Sequence, residues 1–138
     1  MDVVHVLNKA HCSLRTGGVL LETHPEPENP SVEVRLARGR NVPIGHIDAS
    51  ALIANIGAAR RNLGQLIAEG RFRPEREVMF DFLAEHASVD AWLAYREKQE
   101  STGKVGEEVI ARARALLNED CGVIVVRERS RALRLARL

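Results

Sequence analysis

The sequence predicts an α/β fold, a mixed and largely antiparallel sheet of about five strands with packed helices. Three observations carry this. Val3, Val6, Leu7, Ala10 and Leu14 recur at helical spacing, and that stretch feeds through Gly17-Gly18 into an aliphatic run, Val19-Leu20-Leu21. Val32-Glu33-Val34-Arg35-Leu36 alternates apolar and charged residues, the period of a half-buried strand. Later strand-like runs, at 77–83 and 123–126, are separated by stretches of helical period.

The elements follow in order. The first helix covers residues 2–15, closed by Gly17 or Gly18 in the left-handed conformation, with Arg15 near its carbonyl end. Val19-Leu20-Leu21 reads as a strand buried on both faces. Residues 24–30 hold three prolines and are assigned to a loop. Residues 32–36 and 42–47 form a hairpin around Arg38-Gly39-Arg40-Asn41, and Pro43 places its second strand at an edge. Asp48 or Ser50 caps a helix carrying Leu52, Ile53, Ile56, Leu63, Leu66 and Ile67. Gly57 and Gly64 weaken it, as sites where another element could approach closely, and Gly70 ends it. A loop at 71–74 leads to residues 77–83, where Val78, Phe80 and Phe82 pointing one way favour a strand over the competing helix that Glu77, Met79 and Leu83 would tolerate. Ser88 caps a helix with Val89, Trp92, Leu93 and Tyr95, which breaks at Ser101-Thr102-Gly103-Lys104. Residues 105–118 form a helix with Val109, Ile110, Ala113, Leu116 and Leu117 inward. Residues 121–138 close the chain as a strand.

Length and balance fit one domain over 1–138 with one modest core: 45% of residues are hydrophobic, 28% charged and only 4% aromatic. A net charge of +1 makes no demand for nucleic acid or an anionic membrane. No apolar run approaches the ~20 residues of a membrane span. Met1-Asp2-Val3-Val4-His5 lacks the basic start of a signal peptide, and two cysteines make no framework. A cytoplasmic protein with reduced thiols is expected, with no membrane partner and nucleic acid disfavoured.

Three segments carry a family resemblance. Ala10-His11-Cys12-Ser13-Leu14-Arg15-Thr16-Gly17-Gly18-Val19-Leu20-Leu21 is similar to the Leu-Arg/Lys-Pro-Gly-Gly passage into the fifth strand of class I S-adenosylmethionine-dependent methyltransferases, with Thr16 where proline is common. The aromatic strand at Phe80-Asp81-Phe82, followed by Ser88-Val89-Asp90-Ala91-Trp92, resembles a later strand and helix start of that family. Residues 122–135 resemble its closing antiparallel strand. The chain thus resembles the C-terminal half of such a Rossmann-like methyltransferase. The family's glycine-rich turn after the first strand, which lets backbone amides approach the cofactor, has no counterpart here. The resemblance implies a non-catalytic binding or assembly module with no cofactor site of its own. One alternative is a subunit of a split methyltransferase, sharing an S-adenosylmethionine site with a separately encoded N-terminal half. The other is a small-ligand-binding homodimer. Half of a doubly wound sheet leaves the strand at 19–23 with an open edge, so a homodimer is expected with residues 17–25 or the first helix near its interface.

Glu22, His24 and His46 are the candidate ligand-binding residues. Glu22 and His24 share one face of a strand, at its C-terminal end, and His46 could join them from the hairpin. Such a set suits acid–base work or a metal, but spacing fixes no third ligand, so no metal site and no catalytic residue is assigned. His5 and His11 read as surface histidines, His86 as a loop residue, Cys12 and Cys121 as buried or inert thiols, and Trp92 and Tyr95 as core anchors. Arg127, Arg129 and Arg131 share a strand face. A solvated face, or ion pairs with the helix acids Glu107, Glu108 and Glu119, is its expected use.

Overall fold

The computed structural model describes residues 3–99 and 103–138. In chain order its elements are α1 (Val3–Ser13), β1 (Val19–Pro25), β2 (Ser31–Leu36), β3 (Asn41–Asp48), α2 (Ser50–Ala68), β4 (Phe72–His86), α3 (Val89–Glu97), β5 (Lys104–Val105), α4 (Glu107–Glu119) and β6 (Gly122–Arg137). The class is α/β: a six-stranded, mostly antiparallel sheet with four helices among the described residues. Strand order is β1-β6-β2-β3-β5, and β4 also pairs with β6. The β1–β6, β2–β6, β2–β3 and β3–β5 registers are all antiparallel.

The described residues group into two compact units, each with its own apolar cluster. One unit takes in residues 3–27, 54–80 and 130–138. Its core is Leu7 of α1, Leu63 and Leu66 of α2, Phe72 of β4, and Leu133 and Leu135 of β6. The other takes in 28–53, 81–99 and 103–129. Its core sets Val32 and Val34 of β2, Ile44 and Ile47 of β3 and Ile124 of β6 with Trp92 of α3 and Val109 and Ala113 of α4. The single core expected from composition is therefore two clusters. Ile124 of β6 belongs to one cluster, and Leu133 and Leu135 of the same strand to the other.

Helix boundaries follow capping chemistry. Ser88 Oγ accepts from the Ala91 amide at 3.1 Å, the cap expected for α3. Ahead of α2, Asp48 Oδ1 accepts from the Ser50 amide at 3.1 Å. After α1, Gly17 takes φ +76°, as the turn into β1 requires, and its amide donates to the Arg137 carbonyl.

Several expectations are corrected. Val19 and Leu21 of β1 are exposed, Leu21 to 72%, and Leu20 packs on the core. An antiparallel strand covered on one face needs apolar residues only at alternate positions. β1 runs through His24 to Pro25 where a loop was expected. β4 begins at Phe72 and takes in Pro74, because a strand edge without a neighbour needs no amide there. Val105 belongs to the two-residue β5, and α4 starts after an extended Gly106. Tyr95, Cys12 and Cys121 are exposed rather than buried. The helix break at Ser101-Thr102 and the N-terminal Met1-Asp2 lie outside the described residues.

Gly64 faces open space on α2: a Cβ there would meet nothing within 4 Å, so no neighbouring element demands the glycine. Gly64→Ala is expected to stabilise the protein by about 0.5–1 kcal/mol through helix propensity and a less flexible unfolded chain, read from the urea midpoint.

Candidate functional site

Glu22 and His24 are brought together. Both project from the half-buried face of β1, and His24 stands directly across from Arg131 of β6 in the antiparallel register. Arg131 Nη2 donates to His24 Nε2 at 3.1 Å. With Nε2 accepting, the imidazole proton sits on Nδ1, which donates to the Pro25 carbonyl at 2.6 Å. Glu22 Oε1 lies 3.3 Å from the same Nε2. One nitrogen therefore faces a permanent donor and an acceptor.

The cluster extends through the same unit. Arg131 Nη1 approaches Glu77 of β4 at 3.5 Å, and Arg60 of α2 reaches Glu26 at 3.0 Å. Three carboxylates, two guanidiniums and one imidazole nearly cancel. Arg131's side chain is only 11% exposed, and its Nε, like Glu22 Oε2 and Glu26 Oε1, is buried without a hydrogen bond. Beside them Leu63, Gly64, Ile67, Pro74 and Leu133 complete a cavity of about 210 Å³ with Arg60, Glu77 and Arg131. The Glu22 carboxyl is raised above its ordinary 4.5 because burial outweighs the attraction of His24, Arg131 and Arg60. The set can hold and pass a proton, and it ties β1, β6, α2 and β4 together. Among the described residues no group of three or more His, Cys, Asp or Glu side chains could hold a metal ion.

A raised pKa means that the folded protein binds this proton more tightly than the unfolded chain. Glu22's contribution to stability is thus fully present below pH 4.5 and lost as pH rises through its higher folded value. Glu22→Gln is expected to remove that loss, seen as a flatter stability profile across the window. Arg131→Ala strips Glu22, His24 and Glu77 of their cation and is expected to cost about 3 kcal/mol by urea denaturation.

His46 does not belong to this unit. It is exposed on β3 and lines a shallow recess of the second unit with Ser31, Asp81, Arg127 and Arg129. The arginine row of β6 also finds other partners than expected. Arg127 pairs with Asp81 at 2.8 Å and Glu33 at 3.6 Å, and Arg134 pairs with Glu75 at 2.8 Å. These acids stand on strands rather than on α4, because cross-strand neighbours lie within reach of a strand side chain.

The second unit holds a different cavity, of about 200 Å³, walled mainly by Ile47, Phe82, Ala84, Trp92, Tyr95 and Val126, with His86, Arg96 and Glu128 among its polar groups. His86 and Tyr95 rings meet at 5.0 Å. Burial, and then the Arg96 charge, lowers the His86 pKa, which keeps the ring neutral. Burial alone raises Glu128. Glu128 was legible only as a break in pattern: it continues the even row Ile124, Val126 with a carboxylate where an apolar side chain would fit.

No family model matches the chain, and no curated protein or solved structure does.

Proposed function

We propose that this protein is a non-catalytic binding or assembly module of methyltransferase-like architecture, without a cofactor site of its own, that works as a homodimer joined through β4. The observation that carries this is the surface of β4. Val78, Met79, Phe80, Phe82 and Leu83 are each 39–57% exposed on one strand. That strand pairs with β6 on one side and with no other described strand. Edges of soluble proteins are normally short or blunted by charge or proline. Here Pro74 and the charges from Arg73 to Glu77 blunt the first part of the strand, while from Val78 to Leu83 only Asp81 is charged.

A second copy is the occupant that fits. Val78, Phe80 and Phe82 form an apolar row centred on Phe80. Antiparallel pairing about Phe80 sets Phe80 against its own copy and Val78 against Phe82 of the other chain, as a two-fold interface requires. The acids of the strand are engaged within the chain, Glu75 by Arg134, Glu77 by Arg131, Asp81 by Arg127 and Glu85 by Arg35. The edge at β1, where the dimer was first expected, is shorter and exposes only Val19 and Leu21 as large apolar residues.

The methyltransferase-like part of the reading draws support from β6, which pairs with both β1 and β4, as the closing antiparallel strand in the resembling half would. Two exposed free cysteines suit the reducing cytoplasm. No described helix is long and apolar enough to cross a membrane. Light scattering tests the assembly claim, as developed below. Calorimetric titration with S-adenosylmethionine tests the cofactor claim: no saturable heat is expected, and binding by the isolated chain would overturn it.

A further inference from the structure

We infer that the cavity between α3 and the sheet in the second unit is a binding site for a small organic cation, an amine carried on a single ring or a body of similar size. This goes beyond the assembly reading and rests on different residues, Phe82 excepted.

The inference starts from Glu128. It stands on the core-facing row of β6 after Ile124 and Val126, half-buried, and among the described residues no hydrogen bond or ion pair reaches it. A carboxylate there is partly withdrawn from water, and no described side chain compensates it. The other acids along these strands show the contrast: Glu33 and Asp81 hold Arg127, and Glu85 holds Arg35. Glu128 alone of this set lines a cavity without an ion-pair partner.

The walls specify the rest. Trp92, Tyr95 and Phe82 line the same cavity, and aromatic rings attract cations through their negative faces. The Arg96 guanidinium also lines the cavity, but it donates to the Gly103 carbonyl at 2.7 Å. His86, kept neutral by burial and by Arg96, adds no competing charge and offers a ring nitrogen for hydrogen bonding. A volume of about 200 Å³ lies below the ~300–1,000 Å³ of sites for larger ligands, which limits the occupant to about one ring. An ammonium group is the complement of an unpaired carboxylate, and an apolar ring is the complement of these walls.

Trp92 is the only tryptophan of the chain, so its fluorescence reports this cavity directly. Benzylamine at about pH 8 is expected to shift that fluorescence saturably, with Kd of about 1 mM or tighter. Benzyl alcohol, the same ring without the charge, is expected to bind at least about tenfold more weakly, and benzoate not at all. Glu128→Gln should erase the preference for the amine, and Tyr95→Ala, on the exposed wall, should weaken benzylamine without restoring benzoate. Circular dichroism confirms the fold of each variant. Repeating the titration on Phe80→Glu separates the two readings, since the site is complete within one chain and should bind in either assembly state. No response to benzylamine at about 10 mM would overturn the inference. So would equal binding of benzoate, or full amine affinity in both Glu128→Gln and Tyr95→Ala.

Discussion

Trp92→Ala is expected to destabilise the protein by about 3–5 kcal/mol, a large share of the ~5–15 kcal/mol typical of a folded domain. Trp92 is 1% exposed and belongs to the second unit's core cluster with Val89, Val109, Ala113 and Ile124. Its helix, α3, has nine residues, too few to persist in water by itself. Ser88 caps it, but it is held in place by burying Val89 and Trp92, one turn apart on one face. Truncating the indole removes the largest fully buried side chain and leaves a cavity among β-branched neighbours that cannot rotate to fill it. The urea midpoint should fall accordingly. Hydrogen exchange should rise most in α3 and α4, whose core this is, and a loss below about 1 kcal/mol would show that the cluster does not hold α3.

Phe80→Glu is expected to convert a dimer into a monomer without unfolding the chain. Phe80 is 40% exposed in the single chain and belongs to neither core cluster, so the substitution leaves both cores intact. In the proposed dimer it stands on the two-fold axis, where two introduced carboxylates would face one another in an apolar row. The expected result is at least about a hundredfold weaker association, equivalent to roughly 3 kcal/mol, with the urea midpoint of the dissociated chain little changed. Val78→Glu and Phe82→Glu lie one pair away on the same row and should act in the same direction.

Much of the fold was legible because its signals are local. Ser88, the helical spacing of α2 and α4 and the alternation of β2 each settle an element without tertiary information. The rest depended on neighbours. Pro74 reads as a loop residue until the strand edge it sits on is known to lack a partner. β5, at two residues, is too short for any periodicity to register. The two clusters depend on which apolar residues meet in the fold, which a count of apolar residues does not detect. At the candidate sites, proximity on one strand brought Glu22 and His24 together correctly, since residues two apart share a face. Arg131 and Glu77 entered through strand pairing, and His46 belongs to the other unit, neither of which spacing conveys. Glu128, one acid among several arginines, has no local signal in its charge. Its place on the apolar row, rather than its charge, is what marks it.

The assembly claim is tested most directly by the mass of the chain in solution. Light scattering during size-exclusion chromatography at about 10 μM should give about 31 kDa, twice the 15.3 kDa of one chain, and Phe80→Glu should give 15.3 kDa. A wild-type mass of 15.3 kDa under those conditions, or a dimer that survives Phe80→Glu unchanged, would contradict the account of β4.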